Sequence, residues 1–268
     1  MGLVPPLRVG ILGCASVATY GLLDLRAALP EIDVCALAAR DPERARAFAH
    51  AHGVRTAHAH YAALIADPNV EVVYNALPNG LHAHWSIAAL QAGKAVVCEK
   101  PLAANVVEGE RMVAAAAAAG QPLIEAFHYL YHPVARRALE IAGSGMLGAL
   151  REAEAVFEVA VDSVGPGDIR RSFALAGGTL MDSGCYCVDF LRRLIGGEPR
   201  VVSARALCAP AQVDVNMRAE LAFPGGVRAR LAAALDAARI RMFLRLAGER
   251  GVLEIDNPFL PHWGHELR

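Results

Sequence analysis

The 268-residue sequence has almost no net charge: 26 Lys and Arg against 27 Asp and Glu leave −1 at pH 7. A nucleic-acid field needs clustered cations, and here the basic residues are scattered, so no nucleic-acid partner is expected. No apolar run reaches the ~18 residues of a membrane span, so no membrane partner is expected either. The opening stretch 1–6 is too short and too uncharged for a signal peptide. Six cysteines (Cys14, Cys35, Cys98, Cys185, Cys187 and Cys208) lack zinc-ligand spacing, and Cys185-Tyr186-Cys187 is too tight for an ordinary metal pair or disulfide. They read as reduced thiols of a cytoplasmic protein. His50, His52, His58 and His60 fall at a helix end and in a polar loop, which reads as a solvated cluster; no metal site is expected. Internal repeats and linker-like tracts are also missing.

What is present is apolar. Hydrophobic residues make up 55% and charged residues 20%, enough to fill one large core or two modest ones. The first half alternates continuous apolar strands at 7–12, 32–38, 70–74, 95–98 and 122–126 with helical segments. The helices start at Pro42, cover 81–92, and cover 106–119 ahead of Gly120. Strand–helix alternation of this kind implies a parallel sheet covered on both faces. After residue 126 the rhythm changes. A helix at 132–142 precedes a long strand at 151–161, a Gly- and Arg-rich loop at 164–178, and a helix at 183–194. Strands then follow in series at 201–208, 213–223, 227–235, 239–247 and 252–255, with hairpin signals at Pro224-Gly225-Gly226 and 248–251. Alternation at Val213, Val215, Met217, Ala219 and Leu221 gives that sheet one apolar face. The expected class is α/β: a doubly wound parallel sheet over 1–126, then an α+β domain with an open, mostly antiparallel sheet over 127–268.

The turn Gly13-Cys14-Ala15-Ser16-Val17-Ala18 follows the first strand. Its G-x-A-x-x-A pattern is a degraded form of the dinucleotide-binding glycine turn, in which small residues let backbone N–H groups approach a pyrophosphate. An acid after the second strand would suit the ribose of NAD. The chain instead has Arg40, a planar cation suited to a 2′-phosphate, which favours NADP over NAD. After the fourth strand stands Glu99-Lys100-Pro101. Proline disfavours helical geometry at the preceding residue, so Lys100 is held extended at the carboxyl end of a parallel strand, where ligands bind. The spacing of Asp182 and Tyr186 puts them on one helix face, and a Tyr near a cation is a competent general acid/base. Asp182 could equally be a helix N-cap before Ser183, and Tyr186 a core aromatic.

Six segments occur in a specific order: Val9-Gly10-Ile11-Leu12-Gly13; Ala39-Arg40-Asp41; Leu77-Pro78-Asn79-Gly80-Leu81-His82; Cys98-Glu99-Lys100-Pro101-Leu102; Glu125-Ala126-Phe127; and the run from Gly177 through Asp182 to Tyr186. Together they resemble the glucose–fructose oxidoreductase/inositol dehydrogenase/MocA family, nearest its aldose and dihydrodiol dehydrogenase branch, over essentially the whole chain. The resemblance implies hydride transfer with Lys100, Tyr186 and Asp182 at the reacting centre. It places Gly13, Ala15, Ser16, Val17, Arg40, Leu77, Pro78, Asn79, His82, Glu99 and Lys100 on the coenzyme, with His128, Tyr129, Arg170 and Asp182 lining the substrate. Relatives often carry Met at the position of His128 and Arg at that of Leu130. They also continue for several dozen residues beyond the end of this sequence, so a shortened second domain is expected.

The function expected is therefore an NADP-dependent dehydrogenase of a sugar, polyol or dihydrodiol, self-associating as a dimer or tetramer through the second sheet. A non-catalytic NADP-binding regulator, or an inactive shortened homologue, is the rival outside catalysis. A nucleotide-sugar keto-reductase is the rival within it. That last reading expects extra cations, for which Arg170 and Arg171 are the candidates.

Overall fold

A computed structural model describes residues 5–160, 164–165, 167–209 and 212–268. The far end of the strand expected to reach Val161, and most of the opening stretch, lie outside the described residues. Two compact units, Met1–Ala126 and Phe127–Arg268, divide the chain.

In the first unit the apolar runs become strands β1 (Leu7–Leu12), β2 (Ile32–Ala38), β3 (Thr56–His58), β4 (Val72–Asn75), β5 (Ala95–Cys98) and β6 (Leu123–Glu125). All pair in parallel in the order β3-β2-β1-β4-β5-β6. The order reverses between β1 and β4, and the crevice beyond their carboxyl ends is where such sheets bind ligands. Between β1 and β2 the crossover is short and irregular: α1 (Ser16–Ala18) widens into a π-helical turn, Thr19–Leu23. The other helices are α2 (Pro42–His52), α3 (Tyr61–Ala66), α4 (His82–Gln91) and α5 (Val106–Ala119). Their ends follow local chemistry. Asp41 caps α2 by accepting from Glu43 N at 2.9 Å, with Pro42 at the first helical position. Asn105 caps α5 by accepting from Glu108 N at 3.0 Å, and Gly120 ends that helix in left-handed geometry.

Strand β3 and helix α3 are additions to the sequence reading and correct it. The segment expected as a solvated histidine loop is structured. His58 Nε2 lies 3.0 Å from Asp67 Oδ2, and His60 Nδ1 accepts from Ala63 N to cap α3. A three-residue edge strand has too few residues to show a period.

The second unit begins with α6 (Pro133–Gly143), capped by His132, and β7 (Leu150–Ala160). The loop that follows contains two 3₁₀ turns, Ile169–Arg171 and Phe173–Leu175. A π-helical turn, Leu180–Gly184, then leads into α7 (Cys185–Ile195). Strands β8 (Arg200–Cys208), β9 (Asp214–Ala222), β10 (Arg228–Ala237), β11 (Arg241–Gly248), β12 (Val252–Asp256) and β13 (Glu266–Leu267) complete the sheet. Its order is β13-β12-β11-β7-β10-β9-β8, antiparallel except for the β7–β10 pair.

One sheet face supplies Ala153, Ala155, Phe157, Leu231, Ala233, Leu244, Leu246 and Ile255 to a core closed by Val134 and Ala138 of α6 and Phe190 and Leu191 of α7. The apolar face is thus covered within the unit. Elsewhere on the sheet, charged pairs bridge strands, among them Arg218 with Glu158 and Arg245 with Glu254. This removes the uncovered apolar face as a reason for self-association. Exposed apolar surface remains on β8, where all nine residues are exposed, including Val201, Val202 and Leu207.

Leu244 is fully buried on β11, opposite Ala155 of β7. Leu244→Ala removes its packing contacts and leaves a cavity. It should lower unfolding free energy by about 2–5 kcal/mol in denaturant titration. A loss below about 1 kcal/mol would show that this sheet face is not a close-packed core.

Candidate functional site

The backbone at the end of β1 turns sharply at Gly13, which has φ +99° and donates its N–H to Ala38 O at 2.8 Å. A Cβ here would sit 3.1 Å from Ala76 O and 3.2 Å from Leu77 Cδ2, so the turn after β1 and the turn after β4 touch at the point where strand order reverses. Ala15 is extended (φ −87°, ψ 149°) and precedes α1 with no side-chain cap on that helix start. Ser16 is exposed and Val17 half-buried. Gly13, Ala15 and Ser16 keep side-chain bulk small along this turn.

Arg40 stands exposed just after β2. Its neighbour Asp41 is committed to capping α2. A second cation that the sequence reading missed is Arg44, one turn into α2, whose Nη2 donates to Cys14 O at 3.1 Å. Arg40 and Arg44 thus belong to the same end of the sheet as the Gly13 turn.

Lys100 and Lys94 are the only two lysines of the sequence. Lys94 donates to the carbonyls of Asp67 and Val70, a structural use. Lys100 is half-buried directly after β5, and its peptide bond to Pro101 is cis. Three side chains fix its turn. Glu99 accepts from Lys100 N at 3.3 Å and, through Oε1, from the Tyr74 hydroxyl at 2.6 Å. Burial, with the Glu99 charge adding to it, pushes the Tyr74 phenol far above its usual range, so it stays a donor. Glu125 Oε1 accepts from Leu102 N at 2.7 Å. His82, fully buried at the start of α4, places Nδ1 2.8 Å from Pro101 O and Nε2 2.7 Å from Leu77 O.

This corrects the expectation that His82 faces the coenzyme. Both ring nitrogens are used inside the protein, and the ring ties the turn after β4 to the turn after β5. Pro78 and Asn79, in the same turn, are half-buried. Leu77 is buried, with its N–H 3.3 Å from Asn75 Oδ1.

In the second unit Tyr186 is 4% exposed on α7. Phe127, Tyr129, Phe157 and Phe259 surround its ring at centroid distances of 5.3, 5.8, 5.4 and 5.7 Å. Its hydroxyl lies 3.5 Å from His128 Nδ1. Tyr129, expected on the substrate, is fully buried instead. Its hydroxyl donates to Asp189 Oδ2 at 2.6 Å, and burial, with the Asp189 charge adding to it, holds the phenol far above its usual range. It is a core strut behind Tyr186.

Asp182 is not a helix N-cap. It sits inside the π-helical turn, and its Oδ2 accepts from Arg170 Nε at 2.8 Å. Arg170 also donates to both oxygens of Asp168, at 3.1 and 3.0 Å. Its backbone passes so close to Gly177 that a Cβ there would lie 2.5 Å from Arg170 O, whereas Gly178, at φ +113°, faces Asp214. Arg171 donates to Val164 O. Both arginines are therefore internal ties. Among the described residues no group of three His, Cys, Asp or Glu side chains converges to hold a metal, and no helix is long and apolar enough to cross a membrane.

A neutral imidazole donates to one of two facing carbonyls, whereas the protonated ring would satisfy both. Burial outweighs this and, with Lys100 nearby, holds the His82 pKa below the ordinary value. The unfolded chain then takes up this proton more readily than the folded one. The contribution to stability is intact above about pH 6.5 and is lost as pH falls below it. His82→Gln should flatten that acid-side loss in unfolding experiments at a series of pH values, and profiles that stay parallel would contradict the assignment.

Comparisons with known proteins identify the family. Residues 7–127 match the family model described as "Oxidoreductase family, NAD-binding Rossmann fold", and 135–254 match "GFO/IDH/MocA C-terminal domain". The chain is 37% identical over 250 residues to D-xylose 1-dehydrogenase (NADP(+)) 2 of Haloferax volcanii, covering 93% of this chain and 76% of that one. It is 34% identical over 255 residues to trans-1,2-dihydrobenzene-1,2-diol dehydrogenase of Sus scrofa, covering 94% and 75%. The crystal structure of KijD10, a 3-ketoreductase from Actinomadura kijaniata in complex with NADP and TDP-benzene, superposes with a TM-score of 0.88 at 33% identity, covering 95% of this chain and 77% of that one. With both halves matched and the strand order of each sheet in place, the chain belongs to the glucose–fructose oxidoreductase/inositol dehydrogenase/MocA family of oxidoreductases.

Proposed function

We propose that the protein is an NADP-dependent oxidoreductase acting on a hydroxyl- or carbonyl-bearing carbon of a sugar, polyol or dihydrodiol. The observation that carries this reading is the Gly13 turn, in left-handed geometry against the Ala76–Leu77 turn at the strand-order reversal, with Arg40 and Arg44 at the same sheet end. The xylose and dihydrodiol dehydrogenase relatives support the substrate class. Gly13, Ala15, Ser16 and Val17 present backbone to the pyrophosphate. Arg40 and Arg44 hold the 2′-phosphate as planar cations. Leu77, Pro78, Asn79 and Glu99 shape the coenzyme side of the Lys100 turn. When bound, NADP supplies or accepts the hydride at its nicotinamide ring.

The chain's own groups handle the oxygen and its proton. Lys100 donates a hydrogen bond to the substrate oxygen and stabilises negative charge there. Tyr186 gives that oxygen a proton in reduction and takes one in oxidation. Asp182, oriented by Arg170, accepts from a neighbouring substrate hydroxyl. Because Arg170 and Arg171 are committed internally, no cation is left among the candidates named for a nucleotide diphosphate, which favours an unphosphorylated substrate. Self-association through the exposed β8 edge belongs to the same proposal, as does a reducing, cytoplasmic setting for cysteines that form no disulfide among the described residues.

NADPH fluorescence titration and NADP+ reduction across aldoses, polyols and dihydrodiols test the reading. Tyr186→Phe should cut kcat by ~10²-fold or more while leaving NADPH affinity nearly intact. Replacing Arg40 or Arg44 with Ser should weaken NADPH binding about tenfold and NADH binding little. Coenzyme binding without turnover on any of the panel would favour a regulator and sink the enzyme.

A further inference from the structure

The Tyr186 phenol is 4% exposed and ringed by carbon, yet general acid/base work requires it to exchange a proton on every turnover. Ionising a phenol in such surroundings without a partner is disfavoured, because burial penalises the charged form. The groups around it narrow the route. Phe127, Phe157 and Phe259 carry no exchangeable proton. The Tyr129 hydroxyl is committed to Asp189, whose carboxylate also accepts from Arg193 Nε at 3.0 and 2.9 Å. His128 remains. Its Nδ1 lies 3.5 Å from the Tyr186 oxygen, with ring centroids 5.9 Å apart and planes at 75°. Unlike the phenol, the His128 ring is exposed. On its other side stands the exposed ring of His262, at a centroid distance of 6.1 Å. A separation of 3.5 Å is long for a hydrogen bond, and contacts of this kind tighten in the reacting complex.

We propose that His128 is the proton relay of Tyr186, carrying its proton between the buried phenol and solvent. This rests on Tyr186 being the acid/base group named above. In oxidation, the substrate O–H bond breaks and its proton forms a new O–H bond on Tyr186. The proton Tyr186 held before passes to the lone pair of His128 Nδ1. The resulting imidazolium loses its Nε2 proton to water. The electron pair of the breaking C–H bond leaves with the hydrogen to the nicotinamide coenzyme, the oxidant. In reduction each transfer reverses, and no charge stays on the phenol between steps. His128 acts through Tyr186.

The experiment uses the full chain with NADP+ and whichever member of the aldose, polyol and dihydrodiol panel is oxidised fastest. His128→Ala should lower kcat about tenfold or more with NADPH affinity unchanged, and added imidazole should restore turnover. His128→Gln keeps polar bulk but cannot pass a proton, so it should show the same loss without imidazole rescue. In protein free of coenzyme and labelled with ¹⁵N-histidine, Tyr186→Phe should move the Nδ1 resonance of His128. An unaltered kcat in His128→Ala, a loss that imidazole does not repair, or an unmoved resonance overturns the relay while leaving the role of Tyr186 intact. Full turnover by Tyr186→Phe removes the acid/base reading itself, and the relay with it.

Discussion

A single buried imidazole holds the chemical end of the first unit together. His82 lies between Leu77 O and Pro101 O, bridging the turns that follow neighbouring parallel strands. Those turns have no regular ladder to fix them; the neutral ring donates to one of the two carbonyls and packs against the other. Glu99 and Glu125 add two further anchors on either side of Lys100. An ammonium on a flexible four-carbon stem is thereby presented from a backbone with little freedom of its own. Precision comes from the residues behind the lysine.

The second unit solves a different problem. Tyr186 is placed by aromatic packing, with Tyr129 pinned behind it through Asp189 and with Phe157 and Phe259 stacked at 5.3 Å with their planes 4° apart. Carbon surroundings hold the ring still, since off-rotamer movement in a close-packed core is costly. At the rim of that packing the hydroxyl meets His128 Nδ1 at 3.5 Å. Asp182 and Arg170 are arranged on the opposite principle, as a charged pair in which Arg170 also bonds Asp168.

Much of this was legible in the sequence. The strands of the first sheet stand out because buried parallel strands are continuous apolar runs, as in Val72–Asn75 and Ile32–Ala38. The second sheet announces itself through turns such as Pro224-Gly225-Gly226. Other features left no local signal. The parallel pairing of β7 with β10 joins segments far apart in sequence, and the π-helical turn at Leu180–Gly184 looks like an ordinary helix start. Motif matching named His82 and Tyr129 but could not say which way they face, and both point inward. Arg44 went unnoticed because its relevance lies in a hydrogen bond to Cys14 O that only the folded turn creates.

The proposed reaction has Lys100 and Tyr186 acting on the same substrate oxygen. A double-mutant cycle on kcat/KM with Lys100→Met and Tyr186→Phe measures this most directly. If both groups stabilise the same developing charge, the losses overlap, and the double variant is hardly worse than the weaker single variant. Losses that simply add in free energy would show that the two residues act independently.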